Sequence, residues 1–173
     1  MKKLTDLMKF RFKLFILIIL TGLTGCEKTS NNNVDEYISQ LRSGQYTSYE
    51  LPAFKPSDIP ALLNYRNNAR IITNFPRNGI SSMAVPECKL GIYVLWTIES
   101  IRAVQINSEK LVGRFPSLNP ILAMNAASHM ELVYDDKSHM EAAKAYYEWW
   151  YSAYLLSDKM RMNPLKNTEY SWH

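Results

Sequence analysis

The sequence predicts a mainly α-helical fold, with four or five helices in stacked antiparallel pairs. Apolar residues recur with the 3.6-residue period of a helix over residues 86–104 and 138–159. No segment alternates apolar and polar residues strongly enough to favour a strand over a helix. The pattern leaves two architectures open, a helical bundle and a short α-superhelix that resembles HEAT repeats.

The first half of the domain is predicted to contain two shorter helices. One begins at Val34, after Asn33 as its N-cap, and Gly44 is placed to end it. The other begins at Ser57 and tolerates Pro60, because this proline falls in the first turn. Two short extended pieces are also compatible with the sequence, residues 46–51 and 71–75.

A long central helix is predicted from Pro86 to about residue 104. It is apolar on nearly all faces, which is typical of a helix surrounded by others. Gly91 lies inside it, although a glycine costs about 1 kcal/mol relative to alanine in a helix interior. We therefore expect a neighbouring helix to approach Gly91 closely. Glu99 and Arg102 are three residues apart and can pair along the helix.

The C-terminal part is predicted to contain two more helices and a docked tail. Residues 120–134 form a weakly specified helix, and a long helix follows to about residue 159. Ser138 and Glu141 have the spacing of a capping box at the start of the long helix. The tail over residues 163–173 contains a tyrosine and a tryptophan, so we expect it to pack on the domain.

The N-terminus has the pattern of a secretory signal. Basic residues precede an apolar run over residues 14–20, which is far shorter than the roughly 20 residues that span a bilayer. Leu23-Thr24-Gly25-Cys26 follows and resembles the lipobox of bacterial lipoproteins, in which the cysteine thiol receives lipid. The predicted parts are a lipoprotein signal peptide over 1–25, the lipidated Cys26 with a flexible tether over 26–33, and a single helical domain over 34–173.

Lipidation of Cys26 predicts an anchor in a membrane. Each buried methylene group contributes about 0.8 kcal/mol, and more than one acyl chain gives a stable attachment. By its resemblance to lipoproteins, Cys26 would carry two or three chains. We therefore expect the protein to lie at the cell envelope, anchored in the outer membrane by its lipid.

The positive charge of the chain lies in the predicted signal peptide. The whole chain has 20 Lys and Arg against 16 Asp and Glu. Five of these basic residues and one acidic residue precede Cys26, so 15 of each sign remain from there on. A domain without net charge gives no basis for nucleic-acid binding, and none is predicted.

Cys88 has no disulfide partner in the chain once Cys26 is acylated. It fits a buried, small apolar residue, and a reactive thiol is the alternative. Paired with one of the three histidines, Cys88 would support an envelope hydrolase, which stays open as an alternative function.

The motif Ser-His-Met-Glu occurs twice, at residues 128–131 and 138–141. Each histidine stands two residues from its glutamate, so the two side chains fall on different helix faces and do not match zinc-ligand spacing. No glycine-rich phosphate loop and no cofactor motif occurs. The sequence therefore predicts no metal, no cofactor and no assignable catalytic residue.

Aromatic residues are concentrated on the predicted long helix. Helical spacing places Tyr146 and Trp149 on one face and Tyr147 with Tyr151 on the next. One face must build the core, and the other is free for contacts, since tyrosine and tryptophan combine an apolar body with a polar tip. The predicted ligand or partner contacts are Tyr147, Trp149, Trp150, Tyr151 and Tyr154.

Three segments together resemble a family of small Bacteroidota lipoproteins whose domain has no assigned function. The resemblance implies envelope anchoring and no known activity, and it carries over no site residue. Surface lipoproteins of this group often have acidic residues after the lipidated cysteine, whereas this chain has only Glu27 followed by Lys28. The cell surface and the periplasmic face therefore both stay open. The segments are Asp58-Ile-Pro-Ala-Leu-Leu-Asn-Tyr, Leu95-Trp-Thr-Ile-Glu-Ser-Ile-Arg and Asn163-Pro-Leu-Lys-Asn-Thr-Glu-Tyr-Ser-Trp.

Taken together, these features predict a non-enzymatic, lipid-anchored module that binds a protein partner or a glycan. The alternatives are the envelope hydrolase and a purely structural component of the envelope.

Overall fold

The protein has a mixed α/β fold, so the prediction of a mainly helical bundle or superhelix is wrong. The computed structural model describes residues 30–79, 85–109, 111–116, 119–125 and 130–173. These residues are 44% helix and 14% strand, and the strands form three small antiparallel sheets. The helices are α1 (Ser30–Ser43), α2 (Ile59–Leu63), α3 (Leu90–Gln105), α4 (Asp136–Trp150) and α5 (Leu156–Arg161). The strands are β1 (Ile71–Ile72), β2 (Cys88–Lys89), β3 (Leu111–Val112), β4 (Phe115–Pro116), β5 (Leu122–Asn125), β6 (Met130–Val133) and β7 (Tyr170–Trp172).

The predicted helix over residues 120–134 is replaced by an antiparallel pair of strands, β5 and β6. β5 is the middle strand of the sheet β6-β5-β7, with Leu122 opposite both Val133 and Trp172. The backbone of β5 is therefore hydrogen-bonded on both sides, once to a neighbour in sequence and once to the C-terminal tail. Strand β7 confirms that the tail docks on the domain, since Tyr170 and Trp172 are buried.

Helix α3 is the centre of the molecule, as its apolar faces predict. Its buried residues continue through every turn from Leu90 to Arg102, and it packs against α2, α4 and α5. It begins at Leu90 and not at Pro86, because Cys88 and Lys89 pair with β1 in an antiparallel two-stranded sheet.

Gly91 is the point of closest packing between α3 and its neighbours. A Cβ atom built on it would overlap the carbonyl oxygen of Arg66 and the imidazole of His139, with Cε1 of that ring only 2.8 Å away. Arg66 follows α2 and His139 lies on the first turn of α4. The predicted close approach at Gly91 is thus confirmed.

The ends of the other helices differ from prediction in detail. Gly44 ends α1 with a φ of +70°, as expected. The start of α4 is capped by Asp135, whose carboxylate accepts a 2.8 Å hydrogen bond from the Ser138 amide, so the predicted capping box of Ser138 with Glu141 is wrong. The chain also turns after Trp150 and starts a separate helix, α5.

Among the described residues, no helix is long and apolar enough to cross a bilayer. Cys26 and the rest of residues 1–29 lie outside the described part of the chain, as does His129. The predictions of a signal peptide, a lipidated cysteine and the start of a tether stay predictions.

Candidate functional site

The last turn of α4 and the residues just after it carry four rings, which we call the aromatic surface: Tyr147, Trp150, Tyr151 and Tyr154. The three tyrosine side chains are 42%, 58% and 57% exposed, and Trp150 is half-buried. Leu155 and Leu156 follow immediately and are exposed as well. Exposed apolar side chains of this size, grouped on one surface, mark an interaction site more often than isolated ones do.

Cations from neighbouring segments hold two rings of the aromatic surface in place. The guanidinium carbon of Arg66 lies 4.4 Å from the centroid of the Tyr147 ring, and its Nη1 donates to the Leu63 carbonyl at 2.8 Å. The Tyr147 and Tyr151 rings contact each other with centroids 4.5 Å apart. Such preorganised rings lose little conformational entropy when a ligand binds.

Lys159 on α5 fixes the half-buried ring. Its ammonium group lies 5.5 Å from the Trp150 ring and donates to the Trp150 carbonyl at 2.6 Å. Helix α5 therefore packs against the aromatic surface at Trp150.

Trp149 differs from the other predicted contact residues because the structure buries it. Its side chain is 5% exposed, and its indole Nε1 donates to the Lys159 carbonyl at 2.9 Å. Tyr146 is also fully buried. The two faces anticipated from the helical spacing therefore exist, and the face with Tyr146 and Trp149 is the one that builds the core.

A buried polar network lies beneath the aromatic surface. The Tyr146 hydroxyl donates to the Glu99 carboxylate and accepts a 2.8 Å bond from Nε1 of Trp172. Arg102 pairs with the same carboxylate and also donates to the carbonyl of Met162. Burial, together with the Glu99 charge, raises the pKa of Tyr146, so its phenol stays protonated and can donate. The network ties α3, α4 and β7 to the segment after α5.

A polar groove of about 780 Å³ lies beside the aromatic surface, between α4 and residues 162–169. Tyr154 is the one residue of the aromatic surface that lines the groove. The charged side chains of the groove balance, with three lysines against three glutamates. They are Lys137, Lys144, Lys166, Glu141, Glu148 and Glu169.

A second concavity, the Cys88 cavity, lies at the other end of α4 and has a volume of about 390 Å³. Both Cys88 and His139 line it, so the structure brings the two residues of the hydrolase hypothesis to one cavity. Each is hydrogen-bonded elsewhere. The Cys88 thiol donates to the Pro120 carbonyl at 3.4 Å, and Nε2 of His139 lies 2.7 Å from the Arg66 carbonyl.

Neither group in the Cys88 cavity is in a reactive state. Burial raises the pKa of the Cys88 thiol, so the thiolate needed for attack is disfavoured. Burial lowers the pKa of His139, and a neutral ring whose Nε2 faces a carbonyl oxygen must carry its proton there. His139 therefore serves as a donor that joins α4 to the residues after α2.

Lowering the pH from about 7.5 to about 5.5 should destabilise the protein through His139. Its folded pKa lies below the ordinary value of 6.5, so below that pH the unfolded chain binds a proton that the folded protein does not. Stability is then lost as the pH falls. Urea unfolding at both pH values measures the effect, and His139→Gln, which keeps a donor near the Nε2 position, should show a smaller loss. An equal loss in both proteins would exclude His139 as the cause.

Comparison with known proteins gives one family. A model for a domain of unknown function, DUF4943, matches residues 28–173. The chain belongs to this family. No curated protein and no solved structure matches the chain. The unknown-function part of the predicted resemblance is confirmed, and its Bacteroidota lipoprotein part stays a prediction.

Two features of this DUF4943 domain were missed by sequence reasoning, the polar groove and the Cys88 cavity. Both are built from segments far apart in the chain, such as Ile71, Cys88, Leu122 and Val133 around the cavity. No local pattern connects these positions. Among the described residues, no group of three His, Cys, Asp or Glu side chains is arranged to hold a metal ion.

Proposed function

We propose that this protein is a lipid-anchored module of the bacterial cell envelope and that its DUF4943 domain binds a neutral glycan. The observation that carries the proposal is the position of Tyr154. Its exposed ring is the one member of the aromatic surface that lines the polar groove, so a ligand in the groove can pack on it.

The chemistry of a sugar fits this junction. The C–H face of a pyranose packs on an exposed ring, while its hydroxyl groups exchange hydrogen bonds with carboxylate, ammonium and amide side chains. On α4, Glu148 supplies a carboxylate and Lys144 supplies an ammonium group. Across the groove, Asn163 and Asn167 supply amides. The balanced charge of the groove favours a neutral ligand over an anionic or cationic one.

The anchor rests on the sequence of the N-terminus. The lipobox-like Leu23-Thr24-Gly25-Cys26 follows a basic and then apolar segment, which is the order of a lipoprotein signal. Lipid on Cys26 would hold the domain close to the membrane, since only a few residues separate Cys26 from Ser30 at the start of α1.

A protein partner is the second candidate for the same surface. Leu155 and Leu156 are 73% and 50% exposed, and a sugar gains little from such aliphatic side chains. Tyrosine, tryptophan and arginine are also the residues enriched at protein interfaces. Arg66 lies over the Tyr147 ring here, and Trp150 follows three residues later on α4.

The remaining alternatives have weaker support. The shared cavity of Cys88 and His139 supports the hydrolase hypothesis. Against it, both side chains are hydrogen-bonded to backbone carbonyls, and burial keeps the thiol protonated. A purely structural component would associate with itself without a ligand, which light scattering over a concentration series would detect.

The glycan proposal predicts that Tyr154→Ala lowers affinity for the bound sugar at least tenfold, because it removes the exposed tyrosine ring that lines the groove. A tenfold loss corresponds to about 1.4 kcal/mol. Calorimetric titration with neutral tetrasaccharides of glucose, mannose and N-acetylglucosamine measures it. The matched control is Tyr49→Ala, which removes a side chain that is 92% exposed and lines neither the groove nor the aromatic surface.

The result expected is binding of at least one tetrasaccharide by the unmodified domain and by Tyr49→Ala, with loss in Tyr154→Ala. Failure of the domain to bind any of the three sugars would contradict the glycan proposal and favour the protein partner. Equal affinity of Tyr49→Ala and Tyr154→Ala for the tetrasaccharide would show that the Tyr154 ring is not part of the binding site.

A further inference from the structure

We propose that the Cys88 cavity is a second binding site, for a small, uncharged and largely apolar molecule. The cavity lies at the N-terminal end of α4, whereas the aromatic surface lies at its C-terminal end. Its volume of about 390 Å³ falls within the range of ligand sites, roughly 300–1,000 Å³.

The walls of the cavity are mainly aliphatic and come from five parts of the fold: the β1–β2 pair with the chain before β2, the first turn of α3, the start of β5 with the chain leading into it, the end of β6 with the chain after it, and the first turn of α4. Burying a ligand against such walls contributes about 25 cal/mol for each Å² of apolar surface removed from water. The aliphatic lining residues are Ile71, Val85, Ile92, Ile121, Leu122 and Val133.

The buried polar side chains that line the cavity, those of Cys88, Ser138 and His139, are already bonded within the protein. The Cys88 thiol has one proton to donate, and two carbonyl oxygens lie within reach of its Sγ, that of Pro120 at 3.4 Å and that of Lys89 at 3.3 Å. The Ser138 hydroxyl donates to the Asp135 carbonyl at 3.1 Å, and His139 bonds to Arg66. Few polar side chains inside the cavity are therefore free to bind the polar groups of a ligand, which favours an apolar ligand.

The charges around the cavity also favour an uncharged ligand. Among the described lining residues the one lysine is Lys89, which forms a 2.7 Å ion pair with Asp136 and donates to the Tyr134 carbonyl at 2.7 Å. The acidic lining residues, Glu87 and Asp135, are exposed to water. A carboxylate would meet these two negative charges, and a cation would find no partner in the aliphatic interior.

The cavity is open to solvent on one side, so a ligand can enter. Ile71 and Tyr134, both in the lining, are 47% and 63% exposed. The lining shares no residue with the polar groove, so occupation of one site leaves the other free.

Fluorescence titration with N-phenyl-1-naphthylamine, an uncharged apolar probe, tests the proposal. The protein is residues 26–173 with Cys26→Ser, which contains the whole described core from Val34 onward. We expect saturable emission with one probe per chain, displaced by 1-decanol. Val133→Phe, which fills the cavity, should weaken probe binding at least tenfold.

Two controls locate the probe. Met130→Phe adds a similar ring on the same strand, at a position that is 55% exposed and outside the cavity, and should leave binding unchanged. Tyr151→Ala and Tyr154→Ala should also leave it unchanged, which separates this site from the glycan site. Loss of probe binding in either tyrosine variant would assign the probe to the aromatic surface and overturn the proposal.

A second measurement is independent of the Val133→Phe variant and of its folding. Cys88 is the sole thiol of the Cys26→Ser protein and lines the cavity. Its slow alkylation by N-ethylmaleimide, followed at about pH 9 because burial raises the pKa of this thiol, therefore reports occupancy. Saturating 1-decanol should slow alkylation at least fivefold. An unchanged rate, or wild-type probe affinity in folded Val133→Phe, would identify the cavity as an unoccupied packing void.

Discussion

Gly91→Ala is expected to destabilise the protein by about 3 kcal/mol. The added methyl group would overlap the Arg66 carbonyl oxygen and the His139 ring, which are themselves hydrogen-bonded to each other at 2.7 Å. One contact is backbone, so α3 must move away from the residues after α2. Overpacking of this kind costs about 1–3 kcal/mol, and disrupting the His139 bond adds to it.

The matched control is Gly79→Ala, because no described residue beyond its chain neighbours lies within 4 Å of a Cβ built at Gly79. The free energy of unfolding from urea titration, followed by circular dichroism, measures both variants. Alanine is the better helix former by about 1 kcal/mol, so helix propensity alone predicts that Gly91→Ala is stabilising. A stabilised Gly91→Ala would contradict the packing of α3 described above.

Arg102→Met is expected to lower the free energy of unfolding by about 3–5 kcal/mol. The side chains of Arg102 and Glu99 are 9% and 14% exposed, so removing the cation leaves a largely buried carboxylate without its charge partner. The Met162 carbonyl loses its donor at the same time. Urea unfolding of the variant measures the loss.

A second substitution separates charge from packing. Glu99→Gln added to Arg102→Met removes the unpaired charge but keeps an acceptor for the Tyr146 hydroxyl, so the double variant should be more stable than Arg102→Met alone. Lys144→Met breaks an exposed pair with Glu148 and should cost no more than about 1 kcal/mol. A double variant less stable than Arg102→Met would show that the buried charge is not the cause.

The long helices could be predicted because their pattern is local. The apolar period of α3, the glycine that ends α1 and the aromatic faces of α4 each depend on residues a few positions apart. Even the role of Gly91 followed from local reasoning, because an unfavourable residue in a helix implies a compensating contact.

The sheets could not be predicted because their pairing is not local. Strands of two to four residues are too short to show an alternating pattern. The partners of β1 and β5 also lie elsewhere in the chain, as in the pairing of Leu122 with Trp172. The local sequence of residues 120–134 is compatible with a helix. It forms strands instead because the C-terminal tail supplies hydrogen bonds to β5.

In the candidate site, too, the features set by a local pattern could be predicted, and those set by distant contacts could not. The concentration of rings on α4 identified the aromatic surface, and the helical spacing separated the face of Tyr147 and Tyr151 from the face of Trp149. The choice between the two faces depends on what packs against α4, chiefly Glu99 and Trp172. The polar groove and the Cys88 cavity exist only after distant segments have come together.

The intact mass of the protein isolated from its own membranes tests the central proposal, an envelope module held by lipid, most directly. We expect a mature chain that begins at Cys26 and carries the added mass of two or three acyl chains, recovered with the membrane fraction. A chain that retains residues 1–25, or an unmodified Cys26 in a soluble fraction, would contradict it.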